Sequence, residues 1–327
     1  MLIDNYHRPI SYLRISLTDR CNLRCIYCMP KEGISLLGHQ DVLSFEEIER
    51  IASAAARLGI SRVRITGGEP LVRKGVIELS GELMKLPGIE DVSLTTNGTL
   101  LTEHAAALRR AGMRRINISL DTLDAEKYKK ITRGGDIQKV LDGISAARRE
   151  GFSPIKINVV AMRGINDDEI AEFARLTIER PVHIRFIEFM PIDIATDWDK
   201  NSFISSSETR GIIRSVGTLN PVDRCNKSGP AEMYRLEGAA GQLGFISPLS
   251  NHFCDTCNRM RLTADGKLRT CLFSDQEIDL KEVLRSGVTD QVLEQTISEA
   301  IKSKPKGHSI SEPSFKKCRR NMSAIGG

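Results

Sequence analysis

Nowhere in its 327 residues does the sequence approach the roughly 18 consecutive apolar residues that a membrane-spanning helix requires. The opening, MLIDNYHRPI, lacks the apolar stretch of a secretory signal, so the expectation is a cytoplasmic chain with no membrane partner. Strong charge of one sign is also missing. Lys and Arg number 47 against 42 Asp and Glu, and a net charge of +5 calls for no nucleic acid while admitting a small anionic substrate. Low-complexity tracts are absent, and no repeat is visible beyond a strand–helix alternation. With 40% hydrophobic and 27% charged residues, the composition is that of a globular enzyme rather than a disordered or fibrous chain. The length allows one barrel-sized α/β domain or two smaller units.

A subtler shortage lies in the cysteines, which stand at 21, 25, 28, 225, 254, 257, 271 and 318. They sort into two tight triplets and two singletons, and each triplet is one thiol short of a closed tetrahedral site. A reducing cytosol disfavours a disulfide framework, so the clustered thiols point to two metal or redox centres. One reading completes the first triplet as a zinc site with His7, His39 or Cys225. The same reading makes Cys254, Cys257 and Cys271 a zinc ribbon closed by Cys225 or His252.

Short β-branched runs at 11–17, 61–66, 91–96, 114–120, 154–162 and 182–189 predict six strands. Between them lie amphipathic segments. In LSFEEIERIASAAARLGI, apolar Phe45, Ile48, Ile51, Ala52, Ala55 and Leu58 recur at helical spacing, Ser44 with Glu47 forms a capping box, and Gly59 stops the helix. Further helices are expected at about 75–86, 102–111, 136–150 and 167–179. The alternation predicts parallel strands with crossover helices, hence an incomplete (β/α)6 TIM-type barrel over 1–190. Residues 191–310 read as a loop-rich C-terminal extension, with weak strands near 232–237 and 242–246 and a helix near 290–303. Residues 311–327 read as a flexible basic tail ending in Gly326-Gly327.

The first triplet, in CNLRCIYC, directly follows the first predicted strand, and in parallel β/α folds such loops converge on one face and carry chemistry. Cys-x3-Cys-x2-Cys can hold three irons of a cubane cluster and leave the fourth open to a ligand. The second strand ends in Thr66-Gly67-Gly68-Glu69-Pro70, where the glycines would let backbone approach a ligand closely. Arg259 and Arg261 sit between the last two cysteines of the second triplet, and guanidinium groups bind phosphate by paired hydrogen bonds. Arg14, Arg64 and Lys156 fall on predicted core strands, where charge is costly unless matched. A phosphate-bearing substrate would match it.

The CNLRCIYC loop, its aromatic Tyr27 and the TGGEP loop together resemble the radical S-adenosylmethionine superfamily. NHFCDTCNRMRLTADGKLRTCL and the closing Gly-Gly resemble, within it, the GTP 3′,8-cyclase family of molybdenum cofactor biosynthesis. The resemblance implies two [4Fe-4S] clusters, held by Cys21, Cys25 and Cys28 and by Cys254, Cys257 and Cys271, with S-adenosyl-L-methionine on the open iron of the first. It implies cofactor contacts at Tyr27, Gly68, Ser119 and Met190. It implies GTP contacts at Arg14, Arg64, Thr95, Lys156, Arg259, Met260 and Arg261, and a catalytic role for Gly326 and Gly327 at the tip of an inserted tail. The implied reaction cyclises GTP to (8S)-3′,8-cyclo-7,8-dihydroguanosine 5′-triphosphate. Electrons would come from a flavodoxin- or ferredoxin-type reductant, and a cyclic pyranopterin monophosphate synthase would take the product. The enzyme would be a monomer or homodimer. Two alternatives are a radical S-adenosylmethionine peptide maturase with an auxiliary cluster and a zinc-stabilised RNA-binding module. Cys225 and Cys318 read as spectator thiols.

Overall fold

The computed structural model describes residues 2–192, 201–223, 229–308, 310 and 317–326, so Cys225 and Gly327 lie outside the described residues. A short ladder of β1 (Leu2–Ile3) and β2 (Pro9–Ile10) leads into six strand–helix steps. Strands β3 (Tyr12–Ser16), β4 (Arg62–Thr66), β5 (Asp91–Thr96), β6 (Ile116–Ser119), β7 (Ile155–Ala161) and β8 (Val182–Glu188) pair in sequence order, all parallel. Every strand end lies within two residues of its expected place.

The crossovers are α1 (Phe45–Arg57), α2 (Val76–Lys85), α3 (Leu101–Arg110), α4 (Ala125–Thr132), α5 (Ile137–Arg149) and α6 (Ile170–Glu179). In α1 the capping box closes as its sequence requires. The Glu47 N–H donates to Ser44 Oγ at 3.2 Å and the Ser44 N–H to Glu47 Oε2 at 2.7 Å. Ile48, Ile51, Ala52 and Ala55 turn into the core. Helix α4 was not expected. Its eight residues, AEKYKKIT, bury only Tyr128, Ile131 and Thr132, too few to show a period, and Asp124 caps its start.

Beyond residue 191, expected as loop-rich with strands near 232–237 and 242–246 and a helix near 290–303, the chain adds α7 (Ser206–Ile213), β9 (Leu219–Pro221), β10 (Glu232–Leu236), β11 (Gln242–Ile246), β12 (Arg259–Leu262), β13 (Lys267–Arg269), β14 (Ile278–Asp279), α8 (Leu280–Arg285), α9 (Asp290–Lys302) and α10 (Met322–Ile325). The six strands do not build a sheet of their own. They extend the first one into a mixed twelve-stranded sheet, ordered β14-β13-β12-β3-β4-β5-β6-β7-β8-β11-β10-β9. Strand β12 is parallel to β3 and β11 to β8, while the outer strands are antiparallel. Strands β9 and β12 to β14 escaped notice because they are short, and in β12 and β13 basic residues alternate where apolar ones would signal a strand.

Alternation along the central strands divides the sheet into two faces. Leu13, Ile15, Val63, Ile65, Ile118 and Ile157 are buried in the apolar core. The residues between them face the other way, and in register Arg261 lies beside Arg14 and Arg14 beside Arg64. Like charges on adjacent strands repel, so this row marks a functional face.

Within the end expected to be flexible, residues 317–326 make specific contacts. The Cys318 N–H donates to the Ile192 carbonyl at 2.7 Å, and Arg320 forks onto Asp265 at 3.1 and 2.8 Å and onto Glu277 at 2.8 and 2.7 Å. Cations that look solvated in sequence are docked because carboxylates from either side of β13 meet them.

Candidate active site

A cavity of about 670 Å³ runs along the inner face of the sheet. It reaches from the first residues of the strands, such as Arg62 and Asp91, to the last, such as Thr66, Thr96 and Ser119. Both cysteine triplets line it.

The loop after β3 carries Cys21, Cys25 and Cys28 as free thiols. The TGGEP loop after β4 lies directly against it: the Gly68 N–H donates to the Thr18 carbonyl at 2.7 Å and the Glu69 N–H to the Arg20 carbonyl at 2.8 Å. A β-carbon on Gly68 would sit 2.3 Å from the Arg20 carbonyl oxygen. The glycine requirement is thereby accounted for by the neighbouring backbone, without appeal to a ligand. Buried Glu69 fixes the next loop by accepting from Thr96 Oγ1 at 2.8 Å and the Asn97 N–H at 2.7 Å, and burial pushes its carboxyl up to about 7. Tyr27 donates to Asp121 Oδ2 at 2.6 Å, and Asp121, raised to about 6 by burial, accepts from the Val160 N–H at 2.8 Å. Asp121 thus pins the aromatic ring of the cysteine loop to β7.

Burial pushes the Cys25 thiol well above its usual range, and the neighbouring Cys28, Asp121 and Cys21 push it further. Three thiols that repel one another as thiolates need a cationic centre to ionise together. Among the described residues, no three His, Cys, Asp or Glu side chains gather as tightly as a single metal ion requires. A cubane asks less of them, because each cysteine binds a different iron. The donor set, three soft thiols on one loop beside a cavity, fits such a cluster.

Between the triplets the wall is basic. Arg14 is held well below its usual range by burial and by Arg261 and Arg64. Lys156 is driven down to about 6 by burial and by Arg185, Arg64 and Arg115, and Arg185 down to about 10 by burial and Arg64. His183 sits at about 4 through burial and Lys156. Asp91, engaged by Arg115, adds little compensation. Thr95 Oγ1, Asn158 Oδ1 and Arg185 Nε are buried on residues of this wall with no partner among the described residues. An anionic, hydrogen-bonding ligand would satisfy both deficits.

At the second triplet, Cys254 opens a short turn, Cys257 precedes β12 and Cys271 follows β13. Burial pushes the Cys257 thiol up, but Arg259 and Lys304 outweigh it and bring it to about 7. Arg8, paired with Asp4 at 2.6 Å, donates to the Cys254 carbonyl at 2.7 Å.

Tyr27, Gly68, Ser119, Met190, Arg14, Arg64, Thr95, Lys156, Arg259 and Arg261 all reach this cavity. Met260 does not. Lying between two inward arginines, it must point to the opposite face, and it packs in the hydrophobic core. Gly326 arrives from the tail: Arg261 Nη1 donates to its carbonyl at 2.8 Å, and an added β-carbon would lie 2.9 Å from Ser16 Cβ. His7 and His39 are exposed and away from the cavity wall, whereas His252 lines it. Sequence reasoning missed Asp121, Asn158, His183, Arg185 and Lys304. His183 and Arg185 alternate along VHIRFIE as Arg14 does in its strand, and that pattern could have flagged them.

The profile of the Radical SAM superfamily matches residues 15–177, and that described as Molybdenum Cofactor Synthesis C matches 182–310. The GTP 3′,8-cyclases of Thermodesulfovibrio yellowstonii and Moorella thermoacetica are each 52% identical to this chain, over 326 and 324 residues, covering 99% of both sequences. The chain belongs to the GTP 3′,8-cyclase family. The enzyme of that name from Alkaliphilus oremlandii is 49% identical over 324 residues, again 99% of each. Among solved structures, Streptococcus suis SuiB bound to its precursor peptide SuiA superposes with a TM-score of 0.66 at 17% identity. The match covers 96% of this chain and 75% of that one. At that identity the likeness is one of fold. The radical S-adenosylmethionine α/β fold with its mixed sheet is therefore common to both, while whole-chain similarity places this sequence with the GTP 3′,8-cyclases. No described helix is long and apolar enough to cross a membrane.

Proposed function

We propose that the protein is a radical S-adenosylmethionine GTP 3′,8-cyclase, converting GTP to (8S)-3′,8-cyclo-7,8-dihydroguanosine 5′-triphosphate in the first step of molybdenum cofactor biosynthesis. The observation that carries this reading is one cavity with a cysteine triplet at either end and a buried, strongly basic wall between them. In it, the sheet curves as a partial barrel around the cavity, Cys21, Cys25 and Cys28 hold one [4Fe-4S] cluster, and Cys254, Cys257 and Cys271 hold a second.

When bound, the first cluster and S-adenosylmethionine would supply the radical chemistry needed to join C3′ of GTP to C8. The chain's own contribution is placement, because an alkyl radical takes whichever hydrogen lies near. Tyr27, held by Asp121, Gly68, Ser119 and Met190 would seat the cofactor. Arg14, Arg64, Thr95 and Lys156 would hold the nucleotide's polyanionic part, with Arg259 and Arg261 beside the second triplet. Arg261 also donates to the Gly326 carbonyl, so the tail would lie beside the bound substrate. A flavodoxin- or ferredoxin-type protein would deliver two electrons, one to cleave the cofactor and one that, with a proton, reduces the cyclised radical to the 7,8-dihydro product, and a cyclic pyranopterin monophosphate synthase would consume that product.

The test is anaerobic incubation of reduced, iron-loaded protein with S-adenosylmethionine and GTP. Formation of 5′-deoxyadenosine together with the cyclised nucleotide is expected, both dependent on GTP. Deoxyadenosine that forms equally without GTP would leave the superfamily in place and overturn the substrate.

A further inference from the structure

Lys304 is 3% exposed, and its ammonium group donates to the carbonyls of Arg259, at 2.9 Å, and Thr270. Arg259 stands two residues after Cys257, and Thr270 directly precedes Cys271. One nitrogen therefore ties together the two segments that carry two of the second-triplet thiols. Other parts of the same stretch hold the third. The Pro305 and Lys306 carbonyls accept from Arg8, which also grips the Cys254 carbonyl, and Gly307 packs on Cys254, where an added β-carbon would lie 3.7 Å from Sγ.

A buried ammonium is costly without an anion. Lys304 makes no ion pair with a carboxylate among the described residues. Burial holds its amine below the usual lysine range; the sulfurs of Cys257 and Cys271 favour the charged form, while Arg8 and Arg259 are like charges. Arg8 already has Asp4, but two carbonyl dipoles alone do not balance the lysine's charge beside the Arg259 guanidinium. Thiolates held by iron would balance it, since a three-cysteinate cubane in its oxidised resting state carries net negative charge.

We propose that Lys304 is a positioning residue for the second cluster, an internal counter-charge that stabilises its ligand set and raises its one-electron reduction potential. This rests on the second triplet holding an iron–sulfur cluster. The physical link is the net charge around the iron: a fixed cation nearby favours the added electron. The lysine does not touch substrate; it acts through Cys257, Cys271 and the two segments it joins.

The test compares Lys304→Met, Lys304→Gln and Lys304→Arg in the full chain, reconstituted anaerobically, by iron content and by redox titration followed by electron paramagnetic resonance, with dithionite as electron donor. Wild-type protein holding only about four irons per chain, instead of about eight, would defeat the second cluster itself rather than the role of Lys304. With both clusters present, Lys304→Met and Lys304→Gln should move the second midpoint to lower potential and leave the first in place, and Lys304→Arg should restore it. An unmoved midpoint in loaded Lys304→Met overturns the proposal, as does wild-type behaviour of Lys304→Gln, which would make the lysine a hydrogen-bonding staple alone. Where the neutral variants fail to load, retention of about eight irons by Lys304→Arg supports the counter-charge, and loss there too overturns it.

Discussion

Nucleotide binding should be driven by a proton taken up at Lys156. Its amine is held at about 6 by burial and by Arg185, Arg64 and Arg115, so above pH 7 it is mostly neutral before ligand arrives. A nucleoside triphosphate brings about four negative charges, which favour the charged amine and raise its pKa toward the ordinary lysine range. The bound state then holds more protons than the free state, by about one per chain between pH 7.5 and 9. Affinity for GTP should accordingly fall with rising pH, by about tenfold per unit, or about 1.4 kcal/mol. Working above pH 7.5 removes two confounding titrations. The terminal phosphate is already ionised, and His183, held at about 4, stays too low to contribute. Isothermal titration calorimetry in buffers of different ionisation enthalpy reads the proton count directly. Lys156→Arg, charged throughout, should bind without uptake, and Lys156→Met should bind weakly and without uptake. Buffer-independent heats in the wild type, or uptake that survives in Lys156→Met, would refute the reasoning.

Three further outcomes are expected. Gly68→Ala places a β-carbon 2.3 Å from the Arg20 carbonyl oxygen and should spread the cysteine loop, halving iron content while the second cluster's spectrum persists; full iron would contradict the packing described. Gly326 has φ +83°, where another residue costs roughly 1–2 kcal/mol, and its space is bounded by Ser16 and Thr66. Gly326→Ala should free the tail to protease and abolish most cyclisation while both clusters stay loaded, and normal turnover with a protected tail would argue against the docking. Met260→Leu should leave GTP affinity unchanged, whereas Arg261→Met should weaken it at least about tenfold, typical of a charge-assisted contact; equilibrium binding to the two variants decides.

Legibility differed by element for physical reasons. Strands β3 to β8 and helix α1 could be read because each buries an apolar face with its own period, within a single local stretch. Strands β12 and β13 could not, since their alternate positions carry Arg259, Arg261 and Arg269 and take their meaning from β3 across the sheet. The contacts of the tail were illegible in its composition for a related reason. KKCRR looks solvated until Asp265 and Glu277, some forty residues and more upstream, are brought beside Arg320. Chain proximity says nothing of side, and strand geometry sends the Met260 side chain to the face opposite its arginine neighbours.

The sequence by itself determined the chemistry at hand. Two incomplete cysteine triplets, a loop with the glycines it needs, and charged residues embedded in core strands are all statements about residue type and short spacing. Only the tertiary structure decided that both triplets share one cavity, that Arg261, Arg14 and Arg64 stand in one row, and that Lys304 is sealed against the second triplet. Such facts depend on which strands become neighbours and how far water is excluded. Burial and pairing of residues distant in the chain set the cost of a charge, and no local pattern encodes them.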